Sequence, residues 1–238
     1  MLRKFILNLL DKLFFNINKR IKISIEPKSP ADFYFEEVSK ACYEEFKENF
    51  KNSFVFSSDN SIREFAINRA IKKFDKNNLF LEFGVYKGES INLFAKNLKK
   101  NDGKIYGFDS FQGLKDEWII QSYHSEGTFD LKNKKPKTQE NVELIGGWVE
   151  KTVENFLKKH PEKKIAFVHF DMDTYSSTAF VIKKINNHLQ PDAILLFDNY
   201  YAFPNWQNYE HKALLENIDK DKFNYIALGK DQACIKII

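Results

Sequence analysis

From residue 79 to the C-terminus, short apolar runs alternate with segments whose apolar residues recur at helical spacing. The apolar runs predict strands at 78–84, 104–109, 142–147, 164–171, 193–199, 223–229 and 232–238. Helices are predicted between them at about 88–99, 149–159, 175–189 and 207–218. Uninterrupted apolar strands that are each followed by a helix are typical of a parallel sheet covered on both faces, and the final two strands are close enough to form a hairpin. We therefore predict an α/β fold built on a doubly wound, mostly parallel seven-stranded sheet.

We predict that residues 1–53 form a helical extension and that residues 54–238 form the α/β domain. Residues 1–30 carry seven basic and two acidic side chains, hence +5, whereas the whole chain carries +4, so the other 208 residues sum to −1. A nearly neutral domain argues against a general nucleic-acid binder, whose phosphate contacts need a basic surface. We expect the extension to dock or to form a homodimer, with peripheral contact to an anionic membrane surface as the alternative. Cys42 and Cys234 form no disulfide framework or metal spacing, which predicts reduced thiols in a cytoplasmic protein.

The carboxyl ends of the predicted strands are the places to search for a site. In an open α/β sheet, ligands bind in the crevice outside these ends, near the point where the strand order reverses. The residues that end the predicted strands are Glu82, Gly84, Asp109, Gly147, Trp148, Asp171, Asp173, Asp198 and Asn199. This set is the shortlist of candidate functional residues.

Four oxygen-bearing side chains follow two of these strands, Asp171 and Asp173 in "FDMDTY" and Asp198 and Asn199 in "FDNYY". A single acid at a strand end is explained as a helix cap, but three carboxylates in one crevice repel one another unless a cation is present. Such hard oxygen ligands suit Mg²⁺ or another divalent cation such as Ca²⁺, and the sequence offers no His/Cys set for zinc. The pattern predicts a divalent metal site.

The other motifs have weaker local meaning. "LEFGVYKGES" contains a glycine turn, but neither the three-glycine dinucleotide fingerprint nor a phosphate loop. Asp109 is placed to accept both hydroxyls of a ribose, or alternatively to cap a helix. His169 lies inside a strand and is interpreted as a core residue, whereas His124 and His211 are candidate substrate contacts. The long polar segment 118–141 is interpreted as a flexible flap over the site.

Five stretches in order, "LEFGVYKGESI", "GFDSFQGL", "GGWVEKTVENFL", "VHFDMDTYSST" and "LLFDNYYAFPNWQNYEHKA", resemble the class I S-adenosylmethionine-dependent methyltransferases. Within these the chain is similar to the macrocin O-methyltransferase-like family, from Phe54 to the C-terminus, which implies a Rossmann-like sheet. The resemblance implies a pocket for the methionine part of the cofactor, a ribose and adenine site, a further cofactor contact at Asp171, and a metal site. The implied residues are Glu82, Gly84, Glu89 and Ser90 for methionine, Asp109, Ser110 and Phe111 for ribose, and Gly147 and Trp148 for adenine. It further implies Asp171, Asp198 and Asn199 as metal ligands and Asp173 as the general base; relatives often carry an acid at the position of Asn199.

The function that follows is a metal-dependent O-methyltransferase whose small-molecule acceptor is a hydroxyl of a sugar, nucleotide-linked, in a surface glycan or in a glycosylated metabolite. The sugar is implied by the resemblance alone. Two alternatives remain open at this point: a nicotinamide-dependent oxidoreductase on a similar sheet, and a non-catalytic nucleoside-binding protein.

Overall fold

The computed structural model describes residues 28–119 and 123–238. The strands are β1 Phe54–Val55, β2 Asn78–Phe83, β3 Ile105–Asp109, β4 Trp118–Ile119, β5 Tyr123–His124, β6 Val142–Gly146, β7 Lys164–Phe170, β8 Leu189–Phe197, β9 Phe223–Leu228 and β10 Ala233–Ile237. The α-helices are α1 Pro30–Asn52, α2 Asp59–Ile71, α3 Glu89–Leu98, α4 Val149–Lys159, α5 Tyr175–Ile185 and α6 Glu210–Asn217. Short 3₁₀ turns cover Lys99–Asn101, Asn186–His188, Trp206–Asn208 and Lys220–Lys222. Among the described residues, no helix is both long enough and apolar enough to cross a membrane.

The main sheet has eight strands in the order β1-β9-β10-β8-β7-β2-β3-β6. Only β10 runs antiparallel to its neighbours, β8 and β9, and every other pair is parallel. After the edge strand β1, the chain enters the middle of the sheet at β2, moves outward through β3 and β6, and then returns to the other side of β2 at β7. The strand order therefore reverses between β2 and β7, which is where ligands bind in such sheets.

Helices cover both faces of the sheet, as continuous apolar strands require. One face packs against α2 and α3 through residues such as Ile67 and Phe94. The other face packs against α4, α5, α6 and the second part of α1, whose Cys42 and Phe46 are buried. Residues 38–238 form one compact unit that contains the whole sheet. The boundary predicted between residues 53 and 54 stays a prediction.

Four phenylalanines form a ladder across the ends of the central strands. Phe83 is paired in register with Phe108 and Phe170, and Phe170 with Phe197. Their rings stack, with centroids 4.7 Å, 6.0 Å and 4.7 Å apart along the row. Because side chains alternate between the two faces of a strand, this ladder brings the next residue of each strand into one row. That row is Gly84, Asp109, Asp171 and Asp198.

The doubly wound, mostly parallel sheet is confirmed, with three differences of detail. The sheet has an eighth strand, because the two residues of β1 pair with β9. A strand of two residues is too short to show a period-two pattern in the sequence. Strand β8 begins at Leu189 rather than at residue 193. The sequence hid this start because Pro191 and Asp192, which lie in the strand, are residues typical of turns. The helix predicted at 175–189 ends at Ile185 and continues as a 3₁₀ turn.

The segment predicted as a flap contains two short paired strands, β4 and β5, and its Asp130 forms a β-bridge to Gln112, which precedes the segment. The basic amphipathic segment at the N-terminus falls on residues 1–27 and lies outside the described residues. The expected membrane contact and homodimer therefore stay predictions.

Candidate functional site

A cavity of about 290 Å³ opens at the carboxyl ends of β2, β3 and β7, beside the point where the strand order reverses. Its walls come from the strand ends, the flap and the first turns of α4 and α5. It is lined by Gly84, Tyr86, Phe108, Asp109, Ser110, Gly113, Leu114, Lys115, Trp118, Phe129, Trp148, Val149, Asp171, Met172, Asp173, Thr174, Ser177 and Asn199.

Asp109 joins two of the loops around the cavity. Its Oδ2 accepts hydrogen bonds from the backbone N–H groups of Val85 at 2.8 Å and Tyr86 at 2.7 Å. Its Oδ1 accepts the N–H of Phe111 at 2.6 Å. The carboxylate therefore accepts three backbone N–H groups, but no helix begins there, so it is not the helix cap of the alternative interpretation. Each carboxylate oxygen has two lone pairs, so the group retains capacity for a ligand hydroxyl.

Gly84 is required by the chain itself. An added Cβ would lie 1.8 Å from the carbonyl oxygen of Asp171, and its φ of +87° favours glycine. The backbone directly after β7 thus approaches this glycine closely. This contact joins the "LEFGVYKGESI" and "VHFDMDTYSST" stretches at the floor of the cavity.

A buried polar group lies below that floor. Glu82 is fully buried on β2, and its Oε1 accepts the hydroxyl of Ser90 at 2.6 Å. The same oxygen lies 3.8 Å from Nδ1 of His169, which is also fully buried. Burial alone would lower the pKa of His169, but the carboxylates of Asp198 and Glu82 on either side outweigh it and raise this pKa to about 10. His169 is a core residue, as predicted, and a charged one.

Asp198 is surrounded by donors. Its Oδ1 accepts Nη2 of Arg63 at 2.7 Å, lies 3.4 Å from Nε2 of His169, and accepts the side-chain amide of Gln232. Burial would raise the pKa of Asp198, but the cations of His169 and Arg63 hold it well below its usual range. Asp198 is therefore ionised and already balanced by protein cations.

Asp173 lies in a tight turn directly after β7. The N–H of Thr174 donates to the carbonyl of Met172 at 2.7 Å, which closes a three-residue γ-turn around Asp173, whose φ is +64°. A non-glycine residue with positive φ at the centre of a γ-turn is strained, and such strain is concentrated at functional sites. The chain is therefore not extended at Asp173, yet the carboxyl group of this residue still lines the cavity. It accepts the side-chain amide of Asn199 at 3.0 Å.

Three carboxyl groups at this end of the cavity lack a cationic partner. Among the described residues, no salt bridge reaches Asp171, Asp173 or Glu210. Burial, together with the charge of Asp198, raises the pKa of Asp171 to about 8. Burial and neighbouring acids also raise the pKa values of Asp173 and Glu210 well above their usual range. These three carboxyl groups therefore favour the protonated form, and the described chain gives none of them a salt-bridge partner.

Aromatic side chains of the flap close one wall of the cavity. The ring of Phe129 is T-shaped against Tyr86 at 5.2 Å and stacks on His124 at 5.6 Å. His124 also lies 5.2 Å from the ring of Trp118. His211, the other histidine considered as a substrate contact, instead packs among core aromatic rings, including Trp206 at 4.8 Å.

A family profile described as "Methyltransferase domain" matches residues 81–200, half of the chain and the part that carries every strand end described above. The chain belongs to the methyltransferase domain family. This confirms the prediction of a class I S-adenosylmethionine-dependent methyltransferase and removes the nicotinamide alternative. The narrower macrocin O-methyltransferase-like family stays a prediction. No curated protein sequence matches the chain.

Solved structures share the fold of this methyltransferase. CalS11, a calicheamicin methyltransferase, is 20% identical with a TM-score of 0.61, covering 88% of this chain and 94% of that chain. Its apo structure, described as a TDP-rhamnose 3′-O-methyltransferase, is 20% identical with a TM-score of 0.56, covering 90% and 97%. The O-methyltransferase NovP is 18% identical with a TM-score of 0.55, covering 75% and 78%. At these identities the likeness shows a common fold.

The methyltransferase brings only some of the predicted cofactor residues to its cavity. Gly84, Asp109, Ser110, Trp148 and Asp171 line it. The others surround it: Glu82 and Ser90 are buried below, Glu89 is exposed in the first turn of α3, Phe111 is buried in the core, and Gly147 precedes Trp148 with a φ of +128°. Their roles in binding stay predictions.

The predicted metal residues fit a divalent cation on charge and donor chemistry. One carboxylate oxygen of Asp171 and one of Asp198 lie within 4.8 Å of each other, and Asn199 lines the adjoining wall. The Oε1 atom of Glu210 is buried without a hydrogen-bond partner in the described chain. Unbalanced buried carboxylates and an unpaired buried oxygen are what a bound hard cation satisfies.

Sequence reasoning missed three groups of the site. Arg63 lies on α2, far along the chain from the other residues of the site. The sequence feature that could have indicated it is an arginine placed between the buried residues Ile62 and Ala66. Glu210 lay inside a quoted motif but gave no local sign of burial. Trp118 opens the flap and lines the cavity, and its indole nitrogen has no hydrogen-bond partner among the described residues.

Proposed function

We propose that this methyltransferase transfers the methyl group of S-adenosylmethionine to a hydroxyl oxygen of a small-molecule acceptor, with Asp173 as general base. The observation that carries the proposal is the placement of Asp173. Its carboxyl is buried, is held by Asn199, and lines the same cavity as Asp109 and Trp148 on the predicted cofactor side. We infer that this one cavity holds both the base and the nucleoside part of the cofactor.

The reaction is an in-line displacement at carbon. The acceptor oxygen forms a bond to the methyl carbon while the bond from that carbon to the sulfonium sulfur breaks, and the hydroxyl proton passes to the carboxylate of Asp173. Holding oxygen and carbon roughly 3 Å apart supplies about 7–11 kcal/mol of the barrier. A positioned carboxylate contributes about 10²–10⁴-fold as a general base.

Asp171, Asp198 and Asn199 would hold a divalent cation, which when bound polarises the acceptor hydroxyl and offsets the local negative charge. The side chains have separate tasks. Asp109 fixes the loops at Val85 and Tyr86, and Asn199 orients Asp173. The flap residues Trp118 and Phe129 exclude water from one wall.

The acceptor class belongs to the same proposal. We infer a sugar hydroxyl, on a nucleotide-linked sugar, a surface glycan or a glycosylated metabolite. Support comes from the aromatic wall of the cavity, since such rings pack on the apolar face of a sugar. It also comes from the fold shared with CalS11, which is described as a TDP-rhamnose 3′-O-methyltransferase. The macrocin O-methyltransferase-like resemblance points the same way.

Replacement of Asp173 by Asn tests the base. We expect wild-type protein with Mg²⁺ to methylate at least one member of a panel of nucleotide-linked sugars that includes TDP-rhamnose. Asp173→Asn should lower turnover by about 10²-fold or more, because the amide cannot accept the proton. Methyl transfer is followed with radiolabelled S-adenosylmethionine.

Calorimetric titration of S-adenosylhomocysteine provides the control, because its affinity should be equal in both proteins. Full turnover by Asp173→Asn would remove the base from the mechanism. If the wild type binds S-adenosylhomocysteine but methylates no hydroxyl acceptor, a non-catalytic nucleoside-binding protein becomes the better description.

A further inference from the structure

We propose that Trp118 and Ser177 form the binding subsite for the sugar acceptor and select a sugar with a second hydroxyl near the methylated one. The indole ring packs against the apolar face of the sugar ring, and the Ser177 hydroxyl hydrogen-bonds the second sugar hydroxyl. The inference rests on the proposed function, because it takes Asp173 as the group that the methylated hydroxyl approaches. Neither subsite residue takes part in the proton transfer.

Trp118 lies where the flap is tied to the base side of the cavity. Two residues before it, Asp116 accepts the hydroxyl of Ser176, which belongs to the first turn of α5. The N–H and the carbonyl oxygen of the residue after it both lie 3.4 Å from the hydroxyl of Tyr209, directly before α6. Helix α5 begins two residues after Asp173. These contacts therefore hold the indole on the same side of the cavity as the base.

The aromatic wall leads from this side to the predicted cofactor side. The rings of Trp118, His124, Phe129 and Tyr86 follow one another with centroids 5.2 Å, 5.6 Å and 5.2 Å apart. The row ends at Tyr86, whose N–H donates to Asp109, the residue predicted to hold the ribose. Trp118 is at the opposite end of the row, which leaves its ring to the acceptor.

The indole is held firmly at the cavity wall. Trp118 is only 4% exposed and lines the cavity, and its backbone is paired with His124 between β4 and β5. Pockets for small molecules combine such rigid apolar surfaces with a few placed polar groups. Because a pyranose presents C–H groups on one face of its ring, a flat indole is its complement.

Ser177 supplies the placed polar group. It follows Asp173 by four residues, lies in the first turn of α5, and lines the same cavity as Asp173. Among the described residues none hydrogen-bonds its hydroxyl, whereas the hydroxyl of the neighbouring Ser176 is taken by Asp116. A hydroxyl both donates and accepts, so that of Ser177 can pair with a sugar hydroxyl in either role.

Steady-state kinetics of the full chain with Mg²⁺ test the subsite on the panel of nucleotide-linked sugars, extended by catechol as a non-sugar diol. For the sugar that the wild type methylates fastest, Trp118→Leu should raise the acceptor KM by about 10-fold or more, since even one lost apolar contact in a pocket costs about that factor. Ser177→Ala should raise it by about 3–10-fold, the contribution of one neutral hydrogen bond. The kcat should stay within about 2-fold, because the lost contacts bind ground state and transition state alike.

Tyr123→Leu is the matched control on the flap. It removes an aromatic ring from β5 that is 60% exposed and lies outside the cavity lining, so the acceptor KM should not change. The thermal midpoint shows that each variant is folded. Should Trp118→Leu fail to fold, Trp118→Phe keeps a smaller ring and should still raise the acceptor KM, while Ser177→Ala removes only a hydroxyl.

Calorimetric titration of S-adenosylhomocysteine separates the acceptor subsite from the cofactor pocket, because its affinity should be equal in all these proteins. An unchanged acceptor KM in either variant would remove that residue from the subsite and leave the proposed methyl transfer intact. Weakened S-adenosylhomocysteine binding would assign the residue to the cofactor instead and equally overturn its role here.

The wild type alone tests the level above. If it methylates catechol but no sugar, the sugar subsite and the sugar acceptor both fall, while methyl transfer to a hydroxyl stands. If it binds S-adenosylhomocysteine and methylates none of the acceptors, the proposed function falls together with the subsite.

Discussion

At the scale of single residues, the acids of the site differ by environment rather than by type. Asp109 is held by backbone N–H groups, Asp198 by two cations, and Asp173 by one amide inside a strained turn. The surroundings of Asp198 and Asp173 separate the pKa values of these two acids and therefore their tasks, because a carboxyl balanced by cations stays ionised while one among other carboxyls favours the proton.

His211 shows the same dependence on environment outside the site. Burial among aromatic rings lowers its pKa from 6.5 to about 4. As pH falls below 6.5 the unfolded chain binds a proton that the folded chain refuses, so this histidine destabilises the fold progressively down to pH 4. Between pH 7.5 and 5 the loss amounts to about 2 kcal/mol of unfolding free energy.

We therefore predict that His211→Phe reduces the acid sensitivity of the protein. Urea unfolding at pH 7.5 and pH 5 gives the difference in unfolding free energy for each protein. The wild type should lose about 2 kcal/mol more than the variant over this interval. Equal losses would show that His211 is protonated in the folded protein.

At the scale of elements, the site depends on how helices attach to the ends of strands. Arg63 on α2 reaches Asp198 at the end of β8, and Glu210 at the start of α6 reaches Asn199 one residue later. Both contacts are made by buried or half-buried polar side chains, so each helix is positioned by charge as well as by apolar packing.

Removal of the Arg63 cation should be costly. Arg63→Met leaves Asp198 with one cationic partner, and we expect the unfolding free energy to fall by about 2–3 kcal/mol, since breaking a largely buried pair strands a charge. Arg69→Met is the matched control on the same helix. Arg69 lies over the ring of Phe65 at 5.0 Å, and its loss should cost about 0.5–1 kcal/mol. Chemical denaturation gives the unfolding free energy of each variant. If the two variants lose the same amount, the Arg63–Asp198 pair adds nothing to stability.

At the scale of the whole molecule, charge is distributed unevenly. Residues 1–30 carry +5, and the remaining residues carry −1. The sheet and the site therefore belong to a nearly neutral body, which suits a small-molecule acceptor better than a polyanion.

The alternative interpretation of the N-terminal segment, contact with an anionic membrane surface, makes a prediction of its own. The full chain should co-sediment with vesicles that contain phosphatidylserine, and the chain from residue 31 onward should remain in the supernatant, because roughly 1 kcal/mol per basic residue is lost. Binding should weaken at high salt. Equal sedimentation of both chains would leave docking or dimerisation as the better interpretation of this segment.

The sequence by itself determined the sheet and the location of the site. Strand periodicity and the following helices are local properties, and the residue after each apolar run, such as Asp109 or Asp171, marked the strand ends correctly. The family resemblance also depends on short contiguous motifs, so it too is a property of the amino-acid order alone.

Only the tertiary structure decided how those strand ends work together. Arg63 and Asp198 are 135 residues apart, and nothing in either local segment indicates their pairing. The burial of Glu210 and the contact of Gly84 with Asp171 likewise arise when distant segments pack together. Local pattern fixes which face a residue belongs to, whereas the partner that balances a buried charge is set by the folded chain as a whole.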